Sequence, residues 1–432
     1  MALATIQIPT TVSPSSNYMW CIADPAIWTT DPYGALVPPY SGITGYYVQY
    51  IISNSDTFEN YIINNVKIYP DVYKGYAVFD IHRVLNNYVS YETFPLSVFY
   101  GFKPSTDSLI KYNVSAFEFS GSTELTSYTK FASGYTFNAT VDRNITWNYY
   151  DYILTTNTGR FLTNWIGSYT VRKTDIASLA FFYAFKKIYP DCRIKLSICK
   201  PDNTIKDYWT FYPIITSSAI TTQEHYQFFG SGYKNINGTW FVDSGGTLIT
   251  NNILETNSAI SYSLCMTSDY ISSGASAKTI SETIDFIIDN DCTLIENIEL
   301  MWQNDLSGWD FYTFYRERHK TLKSEKITYQ KNDYGLYNGI MQTPQYTIGE
   351  TVLTNKVTNY YKVKSKILTN DMSKNVSGIF NSKNVFYIED DGTINPIIID
   401  MDTVEVMNNY NRPNRAIYEF SFRFANESNT IE

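Results

Sequence analysis

Charge is what this chain has least of. Asp, Glu, Lys and Arg make up 17% of its 432 residues, against roughly 25% in ordinary soluble domains. The balance is acidic, at a net −9, which argues against an extended nucleic-acid surface built from clustered Lys and Arg. Histidine is rarer still: His82, His225 and His319 lie far apart. The five cysteines, Cys21, Cys192, Cys199, Cys265 and Cys292, include no CxxC pair. Their number and spacing fit neither a disulfide framework nor a zinc site. All five read as reduced thiols of a protein folded in the cytoplasm. The longest apolar run, 176–185, is far short of the roughly 20 residues of a spanning helix. The N-terminal stretch has no basic segment leading into an apolar core, so no secretory signal and no membrane anchor are expected.

Catalytic signatures are missing as well. There is no HExxH, no Gly-x-Ser-x-Gly elbow, no Walker A and no Rossmann fingerprint. Asp80 and His82 stand two apart, but no nucleophile or third partner sits at a recognisable spacing, so a structural role is expected for them. Asp390-Asp391 and Asp400-x-Asp402 fit turns or strand ends better than a metal site. No cofactor is implied. Glycoside hydrolysis needs only two carboxylates, and 42 acidic residues leave that class open.

What the chain has is aromatic side chains, 17% of it, with 39 tyrosines. Tyr, Thr, Ile and Asn outnumber the helix formers, which predicts β structure. The expected fold is mainly β, several small β-sandwich or barrel domains with few short helices. Helix should stay below about a fifth, against roughly a third in average proteins. Tyrosine also suits large protein contacts, because its ring buries area while its hydroxyl tolerates water.

Three regions are expected. Residues 1–110 read as an immunoglobulin- or fibronectin-like β domain: short strands at 45–52, 64–70, 76–80 and 95–101, broken by Pro and Gly, with one helical turn after Asp80. Residues 111–295 read as a second β-sandwich region, with strands at 113–119, 161–165, 168–172, 192–199 and 208–213. The apolar run from Ile176 leans toward strand, and 226–241 reads as an exposed Gly-rich hairpin. Residues 296–432 read as a C-terminal β domain. It opens with a hairpin over 296–315, carries a helix over 370–381 and a second hairpin over 385–399, and ends in a strand over 416–424. Residues 426–432 read as a polar tail.

The hairpin 296–315 organises the chain. Ile298 and Leu300 alternate with Glu299. Trp302 then leads through Gln303-Asn304-Asp305-Leu306-Ser307-Gly308 into the aromatic run 309–315. Arg316, Arg318, His319, Lys320, Lys323 and Lys326 follow, the densest positive run in an acidic chain. The segments 301–315 and 328–331, with Val78-Phe79-Asp80-Ile81-His82-Arg83-Val84-Leu85-Asn86-Asn87-Tyr88-Val89, resemble structural proteins of tailed phages that infect Bacteroidetes, including crAss-like phages. The resemblance implies a virion component of the tail, made and assembled in the host cytoplasm.

The leading expectation is a non-enzymatic tail hub, ring or neck component. It would form a sixfold or twelvefold homo-oligomeric ring, contact other tail or portal-proximal proteins, and meet nucleic acid only as passing genome. Alternatives are a receptor- or glycan-binding tail module and a tail-associated glycan hydrolase. Arg316, Arg318, Lys320, Lys323 and Lys326 are the candidate interface. If that stretch is extended, Arg316, Arg318 and Lys320 point the same way.

Overall fold

The protein is mainly β, 54% strand and 11% helix. The computed structural model describes residues 4–9, 11–24, 29–30, 36–37, 46–53, 62–70, 76–93, 96–125, 129–141, 148–152, 159–182, 193–210, 226–268, 278–289, 297–330, 335–342, 350–389, 391–400, 416–426 and 429–431. Cys192, Cys292, His225, Asp390 and Asp402 lie outside these, as do the side chains of 316–320. The chain divides into two compact units, Met1–Asn290 with Gln303–Asp310, and Asp291–Trp302 with Phe311–Glu432.

Unit 1 begins with two sheets that share a core. One has strands Ala4–Gln7, Trp20–Asp24 and Ala77–Asp80 in that order. The other runs Val12–Pro14, Thr129–Phe137, Leu109–Ser120, Tyr46–Ser53, Ile62–Ile68. Period-two alternation sends Tyr46, Val48, Tyr50 and Ile52 inward, where Tyr112 and Val114 join Cys21, Ala23, Ala77, Ile81 and Leu85. The Tyr50 hydroxyl donates to the Ala77 carbonyl at 2.8 Å. Burial, with the Asp80 charge second, pushes the Cys21 thiol up to about 12, so it is an inert core thiol. The boundary expected at 110/111 falls inside Leu109–Ser120, which pairs with Tyr46–Ser53 on one side and Thr129–Phe137 on the other. Punctuation by Pro and Gly marks turns, not which distant strands pair.

A larger sheet follows, in the order Tyr169–Val171, Ile284–Ile288, Ser261–Ser268, Arg193–Cys199, Ile205–Thr210, Phe241–Asp243, Leu248–Ile249. Trp165, Tyr169, Phe286 and Tyr262 stack ring on ring, with centroids 4.4, 5.3 and 4.8 Å apart. A three-stranded sheet, Ser178–Phe182, Tyr226–Gly230 and Phe102–Pro104, confirms the strand reading of the apolar run. It also corrects three expectations. Residues 161–165 are not a strand, though all but Asn164 are buried, and among the described residues of 95–101 there is no strand. Residues 226–241 are no exposed hairpin: a fully buried strand leads into the helix Tyr233–Gly238. Its glycines serve close approach rather than turns. A Cβ at Gly230 would lie 2.7 Å from the Phe99 carbonyl oxygen, and one at Gly238 would collide with the Tyr100 ring.

Two carboxylates organise loops in unit 1. Glu92 Oε1 accepts from the Ser105 hydroxyl and from the amides of Thr106, Asp107 and Ser108, all within 2.9 Å, and Oε2 accepts from the Thr106 hydroxyl. Burial alone would raise its pKa. The donors outweigh that and hold the carboxyl below its ordinary value. In the segment Gln303–Asp310, Asn304 Oδ1 accepts from the amides of Leu306 and Gly308, while its Nδ2 donates to the Leu162 carbonyl and to Asp310 Oδ2. Asp310 Oδ1 accepts from the hydroxyls of Thr163 (2.7 Å) and Tyr169 (3.0 Å). Asp310 is fully buried, and that burial pushes its carboxyl up to about 6 despite the three donors.

Unit 2 is a closed antiparallel barrel. Asn297–Gln303 pairs with Val385–Ile388, that with Ile394–Asp400, that with Glu419–Phe424, and that with Glu350–Lys364. Trp309–Gln330 closes the ring by pairing with both Asn297–Gln303 and Glu350–Lys364. The expected hairpins are both present, and the final strand alternates as read: Tyr418, Phe420 and Phe422 are buried, Ile417 and Glu419 exposed. The helix Asn370–Asn381 packs Phe380 against Tyr418 and Phe420. Its cap is Thr369, whose hydroxyl accepts from the Met372 amide, and Asp371 lies in its first turn. Gly378 lets the helix approach Trp302, whose Nε1 would stand 3.1 Å from a Cβ there.

Candidate functional site

The strand that follows the organising hairpin does not stop at Tyr315. It runs unbroken to Gln330, 22 residues, partnered by the 15 residues of Glu350–Lys364. Only the start of the first strand and the end of the second belong to the barrel. Beyond it the two strands continue as a ribbon, with register pairs from Lys320 and Tyr361 out to Gln330 and Glu350. At about 3.4 Å per residue the ribbon is about 35 Å long. Within the connection at its far end lies a small hairpin, Gly335–Tyr337 with Ile340–Gln342. Asn338 (φ 51°) and Gly339 (φ 79°) are both left-handed, as a type I′ turn requires.

Every residue from Thr321 to Gln330 is exposed. The solvent-facing side chains include Leu322 (61%), Ile327 (61%) and Leu353 (57%), with Tyr329 and Val352 beside them. Successive residues point to opposite faces, so Leu322 and Ile327 lie on different faces of the ribbon. Leu353 is the extra residue of a bulge, because Ile327 pairs with Thr354 and Thr328 with Val352. Polar contacts on the ribbon are local: Ser324 Oγ reaches across to Asn355 Oδ1 at 2.7 Å, and Lys323 Nζ lies 3.0 Å from Glu325 Oε1 on the same strand. The hydrogen bond from Lys323, with its charge second, holds the Glu325 carboxyl below its ordinary value.

The polar tail is held. Residues Asn429–Ile431 form a strand on Asn355–Val357, the edge of the ribbon away from Trp309–Gln330. Over 350–354 that edge has no partner strand among the described residues, nor has the 321–330 edge of the other strand. Two-stranded ribbons are marginal in water. This one is held by the barrel at its base and by the third strand at its side.

All five basic residues expected at an interface, Arg316, Arg318, Lys320, Lys323 and Lys326, fall on this one strand, and Lys323 and Lys326 are exposed. The expected common direction of Arg316, Arg318 and Lys320 meets an irregular register. Arg316 pairs with Val363 and Lys320 with Tyr361, so four residues on one strand span two on the other. The basic surplus extends past the ribbon into the connection at its far end and the barrel ends of its strands, where Lys362 and Lys364 pair with Glu419. Residues 316–364 hold nine Lys and Arg against four Asp and Glu, a surplus of five. The chain carries −9, so the other residues carry a net −14. Sequence reading found the charges. It missed the ribbon's first strand, because 321–330 mixes polar and apolar residues on both faces, all exposed, and gives no buried face to detect.

A second exposed feature lies in unit 1. Tyr18 and Trp20 stack at 5.2 Å with an 18° interplanar angle, both exposed. His82 meets Tyr18 edge-on at 5.4 Å, and its Nδ1 lies 2.5 Å from Asp80 Oδ2. Asp80 Oδ1 accepts from the amides of Met19 and His82. Asp80 thus ties the first amide of the short helix to that of Met19.

Among the described residues no three His, Cys, Asp or Glu stand close enough to hold a metal, and no helix is long and apolar enough to cross a membrane. No protein-family model matches the chain, and no curated protein does. Among solved structures, a marsupial T cell receptor aligns over 83% of this chain and 96% of its own at 6% identity and a TM-score of 0.18, a likeness that carries no argument.

Proposed function

We propose that this protein is a non-enzymatic structural component of a phage virion, a hub, ring or neck part of the tail, and that the ribbon is its docking element. The observation that carries this reading is the ribbon itself. Some 35 Å of paired strand exposes Leu322, Ile327 and Leu353 to water in a chain able to bury its aromatics well. Exposed apolar side chains grouped on one element mark an interaction site, and open strand edges accept further strands. The phage-like segments at 78–89 and 301–315 and the basic run on the ribbon strand support the tail assignment. Mass spectrometry and gold labelling of purified particles test it. Several copies per particle at the tail axis are expected, and absence from intact particles would overturn the proposal.

The stacked Tyr18–Trp20 pair favours one other reading, a glycan-binding tail module, because exposed aromatic faces suit sugar rings. Trp20→Ala would then abolish binding on a glycan array. Binding by neither protein removes this reading.

A further inference from the structure

We infer that the ribbon docks on the acidic surface of a second copy of this chain, in a head-to-tail contact rather than ribbon against ribbon. This rests on the docking role proposed above and names the partner. Charge is segregated along the chain: the 49 residues 316–364 carry a net +5 and the other 383 a net −14. Two ribbons brought together repel. A ribbon brought to the remainder of another copy is attracted, and like-charge juxtaposition is what specific interfaces avoid.

Lys362 and Lys364, at the barrel end of 316–364, pair with Glu419, so the charges that can meet a partner lie farther out on the ribbon. Lys326 is exposed and stands opposite Asn355, and the Lys323–Glu325 pair is solvent-facing on both sides. The apolar side chains supply burial once charge has brought the surfaces together. Leu322, Ile327 and Leu353 occupy both faces and a bulge, so an occupant must wrap the ribbon or receive it in a cleft. Two different patches, one basic and one acidic, make the contact heterologous. Heterologous contacts close into rings when the rotation divides a full turn and otherwise grow as filaments. A double helix is the competing occupant for a basic ribbon. Glu317, Glu325 and Glu350 interleave with the cations along both strands, and that pattern suits a protein surface better than a phosphate row.

The test uses the full chain and its Lys323→Glu, Lys326→Glu double variant, followed by sedimentation velocity over a concentration series. Both positions are exposed, so the variant should melt with the parent. The parent should self-associate at low ionic strength and dissociate as salt rises. The variant should associate about tenfold more weakly or less. Mixing decides the geometry. Variant added in excess should cap parent assemblies, because it offers an acidic surface but no working ribbon, and the mean size should fall. Larger assemblies in the mixture would mean ribbon-to-ribbon contact and overturn the inference. So would a parent that stays monomeric at every concentration, or equal association by the variant. Binding of a DNA duplex by the monomeric parent, lost in the variant, would assign the ribbon to nucleic acid instead. Self-association without presence in particles would sink the tail proposal and leave this inference standing. Presence in particles as isolated copies would do the reverse.

Discussion

Asp310 is a buried carboxylate with three donors pointed at it and nothing to spare. Asn304 cannot turn its amide over, because its oxygen is held by the Leu306 and Gly308 amides. Asp310→Asn would therefore place one NH2 against another, or leave a buried donor unmet. A loss of about 1–3 kcal/mol of unit 1 stability is expected in denaturant titrations. Asn304→Ala removes four hydrogen bonds at once and should cost at least as much. The ionisation of Asp310 sets a pH dependence. Its folded pKa, about 6, lies above the roughly 3.9 of an unfolded Asp. Between those values the native state holds a proton that the unfolded state has released, so stability falls as pH rises through the window, by about 3 kcal/mol at most. Melting measured from pH 4 to pH 7 should show this, and Asp310→Asn should flatten it. Glu92 acts with the opposite sign. Its carboxyl is held low, so its contribution is present at neutral pH and fades only as pH falls below the ordinary carboxylate range.

At the level of elements, the helix Asn370–Asn381 was legible to the residue, because Met372, Val376 and Ile379 repeat at helical spacing. Thr369→Ala should cost about 1 kcal/mol, read as a shift in the denaturant midpoint with unchanged slope. The hairpins at 297–315 and 385–400 were equally legible, since turn residues separate alternating runs. The strand Tyr226–Gly230 was not. Glycine has the same letter whether it permits a turn or lets Phe99 and Ala177 come close, and only the partner's position tells which. Asn304 escaped notice for a related reason: one Asn in a turn looks like any other until its amide is seen reaching Leu162.

For the whole molecule, composition set the class and pairing set the limits. The strand Leu109–Ser120 joins residues on both sides of an expected boundary, and no local signal announces partners 60 residues away. The ribbon offers the cleanest test at this scale. Replacing 323–358 by Asn-Gly joins the register pair Leu322 and Asn359 through a two-residue turn. The shortened chain should keep its barrel, with a melting temperature within about 5 °C of the parent, since the side chains of 323–330, 338–340 and 350–357 are solvent-exposed or half-buried. It should also release 429–431, which pairs with 355–357, and hydrogen exchange would report that release.

The continuity of Trp309–Gln330 also has a mechanical side. The strand that forms the ribbon is the one that closes the barrel, with no loop between them. Tension applied at the Asn338-Gly339 turn runs along the two strands into the barrel wall, where the rungs to Asn297–Gln303 and Glu419–Phe424 lie crosswise to the pull. Rungs loaded in shear share the force, whereas rungs peeled from one end break in turn. A trap pulling from residue 339 against the barrel should therefore record one abrupt rupture rather than a staircase. A particle part built this way would transmit load through its arm without stretching.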